Sequence, residues 1–152
     1  LGASGLHVSS LGWGMWRLAG ADIASAQARI EAALEIGVTL FDTADIYGFA
    51  PADPDGFGEA ERLFGRVLRE RPSLRAHMIV ASKGGITPPT PYNSSAAYLI
   101  SACEASLSRM GIDRIDLYQV HRPDLLAHPE EAARAFDRLR QDGKIRAAGV
   151  SN

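Results

Sequence analysis

The run Phe41-Asp42-Thr43-Ala44-Asp45-Ile46-Tyr47-Gly48 carries a carboxylate and, five residues on, a phenol. Ser82-Lys83-Gly84-Gly85 adds an ammonium, and His121-Arg122-Pro123-Asp124 adds an imidazole. These four groups suit the reduction of a carbonyl. Hydride delivery to a carbonyl carbon leaves an alkoxide that must be protonated, and a tyrosine hydroxyl can supply that proton. An ammonium from Lys83 beside Tyr47 would favour release of the proton, and Asp42 would hold that ammonium charged and in place. His121 could hydrogen-bond the carbonyl oxygen and orient it. Each residue alone also has a structural explanation: a strand-end Asp caps a turn, a loop Tyr covers core, and a Lys beside glycines is solvated. Together they favour a site, provided that they converge.

Convergence requires particular elements. Five short, mostly apolar runs read as strands: Leu11–Trp16, Thr39–Thr43, Met78–Ser82, Leu117–His121 and Arg146–Ser151. Their continuous hydrophobicity suits parallel strands covered on both faces. Between them, Ile23–Ile36, Glu59–Arg71, Ser95–Met110 and Pro129–Gln141 carry apolar residues at helical period. Gly37, Gly111 and Gly143 or the stop before Pro72 end these helices. The alternation of strand and helix fits an open doubly wound sheet or a (β/α)8 barrel, and spacing alone does not choose. In both, Asp42, Lys83 and His121 lie at the carboxyl ends of strands, where such folds keep their chemistry. The segments Phe49–Phe57 and Gly84–Asn93, rich in Pro and Gly, read as loops on that rim.

Other features narrow the function class. A formal net charge of -2 gives no basic field for nucleic acid or anionic lipid. No apolar run approaches the roughly 20 residues of a membrane span, and Leu1–Ser10 lacks the order of a signal peptide. Cys103 is the single cysteine, expected as a buried thiol, and a reducing cytoplasm fits. The four histidines show no metal-ligand spacing. Gly12 and Gly14 imitate the start of a dinucleotide fingerprint, but Arg17 stands where the third glycine belongs. Asn93-Ser94-Ser95 reads as a helix cap rather than a glycosylation acceptor. Arg122 is expected to contact substrate or to pair with an acid such as Asp124.

The sequence resembles the aldo-keto reductase superfamily. The resemblance runs from Ser4-Gly5-Leu6-His7-Val8-Ser9 and Leu11-Gly12-Trp13-Gly14, through Asp42–Gly48, Lys83 and His121, to Gly149-Val150-Ser151-Asn152. Gly14-Met15-Trp16-Arg17 with His121-Arg122-Pro123-Asp124 is similar to the bacterial branch related to potassium-channel β subunits. The resemblance implies a (β/α)8 barrel that binds NADP(H) without a glycine-rich fingerprint and reduces aldehydes or ketones by direct hydride transfer. It also implies that Asp42, Tyr47, Lys83 and His121 form the catalytic tetrad. Met15, Trp16 and Asp42 would then lie near the cofactor, and Ser151 and Asn152 would hold the nicotinamide carboxamide. NAD(H) stays open as the alternative cofactor.

A complete barrel of this kind has about 250 residues and eight strand–helix units. Residues 1–152 are therefore expected to be the N-terminal part of a reductase domain, incomplete at the C-terminus, and without an initiator Met the natural start is expected to lie upstream. The unclosed sheet edge would favour self-association. The expected partner is a small carbonyl substrate. The competing reading is a cofactor-sensing regulatory subunit with little turnover, as in the channel-associated relatives.

Overall fold

The computed structural model describes all residues from Leu1 to Asn152. In chain order it contains β1 (Gly12–Gly14), α1 (Ile23–Glu35), β2 (Leu40–Asp42), α2 (Glu59–Glu70) and β3 (Ile79–Gly84). There follow β4 (Ile86–Thr87), β5 (Thr90–Tyr92), α3 (Ala96–Met110), β6 (Ile115–Val120), α4 (Pro129–Gln141) and β7 (Ile145–Val150). The main sheet has the order β1-β2-β3-β6-β7, and every neighbouring pair is parallel. Its strands thus lie side by side in the order in which the chain makes them. A doubly wound sheet reverses its order at a switch point, whereas a barrel wall never does. The chain forms a five-stranded arc of a (β/α)8 barrel.

Local chemistry explains the helix limits. Asp22 caps α1 by accepting from the Ser25 backbone N–H at 2.9 Å, and Ala26, Ile30 and Ala33 form its buried stripe. Gly37, at φ 85°, releases the chain towards β2. Ser95 caps α3, as the sequence predicts, accepting from Tyr98 N–H, while Asn93 Oδ1 accepts from Ser95 N–H at 3.0 Å. Gly111, left-handed at φ 64°, closes that helix, and Pro129 opens α4 at its first turn.

Two expectations about the strands need correction. The first strand spans only Gly12–Gly14, because Met15–Leu18 turn into a 3-10 helix that buries Met15 and Leu18 together. Residues three apart eclipse in a 3-10 turn, so both apolar side chains enter the core at once. The segment Gly84–Asn93 is not wholly irregular: β4 and β5 pair antiparallel around Pro88-Pro89. Pro88 and Pro89 stand at the turn, where they take no donor from the ladder, and Pro91 lies within the short strand β5.

Register sorts the side chains. Gly14, Asp42, Ala81, Leu117 and Ala147 lie abreast across the sheet, with Lys83, Gln119 and Gly149 two residues further along the same face. The alternate residues Phe41, Val80 and Tyr118 face the helices and join the main core with Phe64, Val67, Met110 and Leu139. Ser82 also points to the helices, reaching Glu61 of α2, which puts Lys83 on the barrel-inner face. On β7 the residues Arg146, Ala148 and Val150 of the outward register are exposed.

Candidate active site

The carboxyl end of β2 delivers Asp42, and the chain beyond it stays stitched to β3. Thr43 N–H donates to Ala81 O at 2.9 Å, and Asp45 N–H donates to Lys83 O at 3.0 Å. A turn closed by Tyr47 N–H to Ala44 O then folds the phenol back over the strand ends. Gly48 makes the exit possible. Its φ is 108°, and a Cβ there would stand 2.4 Å from Gly56 O.

Lys83 is the hub. Its Nζ donates to Asp42 Oδ2 at 2.7 Å, to Thr43 O at 2.8 Å and to Tyr47 Oη at 3.1 Å. An ammonium has three donors, so this buried cation is fully satisfied. His121 faces Tyr47 edge-on, with ring centroids 5.8 Å apart, and its backbone N–H donates to Gly84 O at 2.9 Å. Burial, followed by the charges of Lys83 and Arg122, pushes the imidazole down to about 4, so it is neutral at neutral pH. Its Nδ1 is enclosed without a partner, which leaves Nε2 as the nitrogen available to a ligand.

The four residues first noted in sequence thus stand together. Ser151 and Asn152 join them: Ser151 N–H donates to Val120 O at 2.9 Å, and Asn152 Nδ2 donates to His121 O at 3.2 Å and to Ser151 Oγ at 2.9 Å. Trp16 is 68% exposed, whereas Met15 is 0% exposed and belongs to the core. Met15 therefore presents no surface to a cofactor here, because the 3-10 turn points it inwards. Arg122 does not pair with Asp124, whose carboxylate accepts from the backbone N–H groups of Ser94 and Leu126 instead. Cys103 is buried, as expected, and burial pushes its thiol up to about 12.

Behind Lys83, on the helix side of β3, lies a polar cluster that the sequence reading passed over. Glu61 is fully buried, accepting from Ser82 Oγ at 2.6 Å and from Arg109 Nε at 2.7 Å. Asp45 is 1% exposed, and neither of its carboxyl oxygens has a hydrogen-bond partner. The available signal was Glu61 itself, an acid within the apolar stripe of α2 between Ala60 and Phe64.

Comparison with known proteins bears on the family and the fold. The model of the Aldo/keto reductase family matches residues 10–152. A 6-dehydroglucose reductase of Novosphingobium aromaticivorans is 54% identical over 100% of this chain and 50% of its own length. A second 6-dehydroglucose reductase, from Agrobacterium fabrum, is 39% identical over 97% of the chain and 51% of its own. Among solved structures, the holo form of the aldo-keto reductase AKR11C1 from Bacillus halodurans superposes with a TM-score of 0.84 at 36% identity, covering 99% of this chain and 48% of that one. The chain spans about half the length of the curated relatives it matches. The match over nearly all its residues places the chain in the aldo/keto reductase family.

Proposed function

We propose that the protein is an NADP(H)-dependent reductase of aldehydes or ketones in which Tyr47 is the general acid. The observation that carries this reading is the single ammonium of Lys83, bonded at once to Asp42 and to the Tyr47 hydroxyl. The inner face also fits a nicotinamide. Asn152 uses its amide hydrogens within the chain, which leaves its Oδ1 as acceptor and the Ser151 hydroxyl as donor for a carboxamide. Gly14 lies beside Asp42 with open space where a Cβ would be, and Trp16 offers an exposed ring. Bound there, the reduced nicotinamide supplies the hydride.

Tyr47 gives its hydroxyl proton to the carbonyl oxygen, and Lys83 stabilises the phenolate left behind. Asp42 keeps the ammonium aimed at Tyr47. His121, neutral at working pH, presents Nε2–H to the carbonyl oxygen and orients it without competing as the acid. The two relatives named 6-dehydroglucose reductases make a carbohydrate carbonyl the first substrate to try. NADP(H) is the family expectation, and NAD(H) is the alternative.

The reading extends to the whole protein. Residues 1–152 are the N-terminal part of a reductase domain that continues beyond them, as the half coverage of the relatives and the exposed outward residues of β7 suggest. No helix is long and apolar enough to cross a membrane; a cytoplasmic location is proposed from the single unpaired thiol, Cys103. The test measures NADPH oxidation by the full-length protein over a panel of aldehydes and sugars. Tyr47→Phe is expected to lower kcat by about a hundredfold or more, as loss of a general acid does. Equal rates would remove Tyr47 from that role.

A further inference from the structure

Asp45 sits directly behind the proposed site. Its backbone N–H holds the carbonyl of Lys83, while Gly84 O on the next residue holds His121 N–H, so the two flank the end of β3. Its carboxyl lies on the opposite side of the strand from Lys83 Nζ. A Cβ on Gly84 would stand 2.2 Å from Tyr118 Oη and 3.3 Å from Asp45 Oδ2, so the missing side chain of Gly84 leaves room for both groups beside the strand. Tyr118 Oη is buried and, like the Asp45 oxygens, has no partner. An unpartnered buried carboxylate is costly, and protonation to the neutral acid removes most of that cost.

We propose that Asp45 is a positioning residue: its backbone N–H on Lys83 O and its buried carboxyl, packed beside Gly84 as a neutral acid, clamp the segment from Asp42 to Tyr47 onto the end of β3. The inference rests on the proposed role of Tyr47 in carbonyl reduction. Several groups face the carboxyl. Glu61 of α2 repels a negative charge there, Arg109 of α3 and Lys83 of β3 attract one, and the phenols Tyr98 of α3 and Tyr118 of β6 complete the surroundings. Burial and Glu61 outweigh Arg109, the nearby Ile46 backbone N–H and Lys83, and push the Asp45 carboxyl up to about 8. Ionisation above that pH sends the proton to solvent and places two carboxylates against one guanidinium. Arg109 is then drawn between Glu61 and Asp45, and the segment that aims Tyr47 loosens.

The test uses the full-length protein with D45N and D45A. Infrared spectra at about pH 6 are expected to show a buried carboxylic-acid C=O band that D45N lacks. The Tyr47 ring resonances should shift between about pH 6 and 9 in the wild type and hold still in D45N, a readout independent of turnover. With a carbonyl substrate, kcat of D45N should stay within roughly threefold of wild type and lose the fall above about pH 8. D45A should lose roughly tenfold in kcat with an unchanged KM for NADPH. A missing band, identical pH behaviour of wild type and D45N, or full activity of D45A would each overturn the proposal. A protein that shows the band and the ring shift but reduces no carbonyl would overturn the reductase reading and leave the clamp standing.

Discussion

His121 illustrates how environment sets a residue's part in the site. In sequence it is a histidine before Arg-Pro-Asp. In the fold its Nδ1 is enclosed without a partner, and burial with two nearby cations keeps it neutral. The sign of the linked stability follows. Its folded value of about 4 lies below the ordinary 6.5, so the unfolded chain binds more protons in that interval. Stability attributed to His121 is present above about pH 6.5 and is lost as pH falls through about 4. Urea midpoints measured across that range should fall more steeply for wild type than for His121→Gln, and the imidazole resonances should stay those of the neutral ring down to about pH 5. Asp45 behaves in the opposite sense. Its raised value means that stability is fully present below about pH 3.8 and is lost as pH rises through about 8.

At the scale of elements, the contact between α2 and α3 is electrostatic as well as apolar. Arg109 reaches from the last turn of α3 to Glu61 at the start of α2, and also donates to Ser106 Oγ at 3.1 Å. Gly65 lets the helices meet closely, since a Cβ there would stand 2.4 Å from Arg109 O. Replacing Arg109 with Met removes the cation and leaves Glu61 buried without a counter-charge. Thermal or urea unfolding should show a loss of about 3–5 kcal/mol, and adding Glu61→Gln should recover much of it. A loss under about 1 kcal/mol would mean that Glu61 takes up a proton or finds water instead. The hairpin β4–β5 belongs to this scale too. Short strands with exposed residues around Pro88-Pro89 carry no alternating pattern, so their pairing was illegible before the backbone was folded.

At the scale of the whole molecule, the arc of five strands has two open edges, β1 and β7, and Val150 is 76% exposed on the latter. Unpaired parallel edges template association. Sedimentation of residues 1–152 alone should therefore reveal self-association through these edges, and a monomeric, cooperatively unfolding fragment would refute this. Much of the architecture was legible beforehand, because helix periodicity, caps and terminal glycines are local properties. The four helices lie within about two residues of their expected limits, the ordinary scatter of helix ends. The alternating order of elements and the motif Asp42–Gly48 were likewise properties of the chain itself. Three matters depended on tertiary structure. Strand order separated a barrel arc from a doubly wound sheet, since neighbours in a sheet are chosen by packing and not by sequence distance. The 3-10 turn sent Met15 into the core while leaving Trp16 outside, a choice between adjacent residues that apolarity alone does not make. Asp45, one acid among many in the sequence, became distinctive only when folding removed it from water and set it behind the lysine that Asp42 holds.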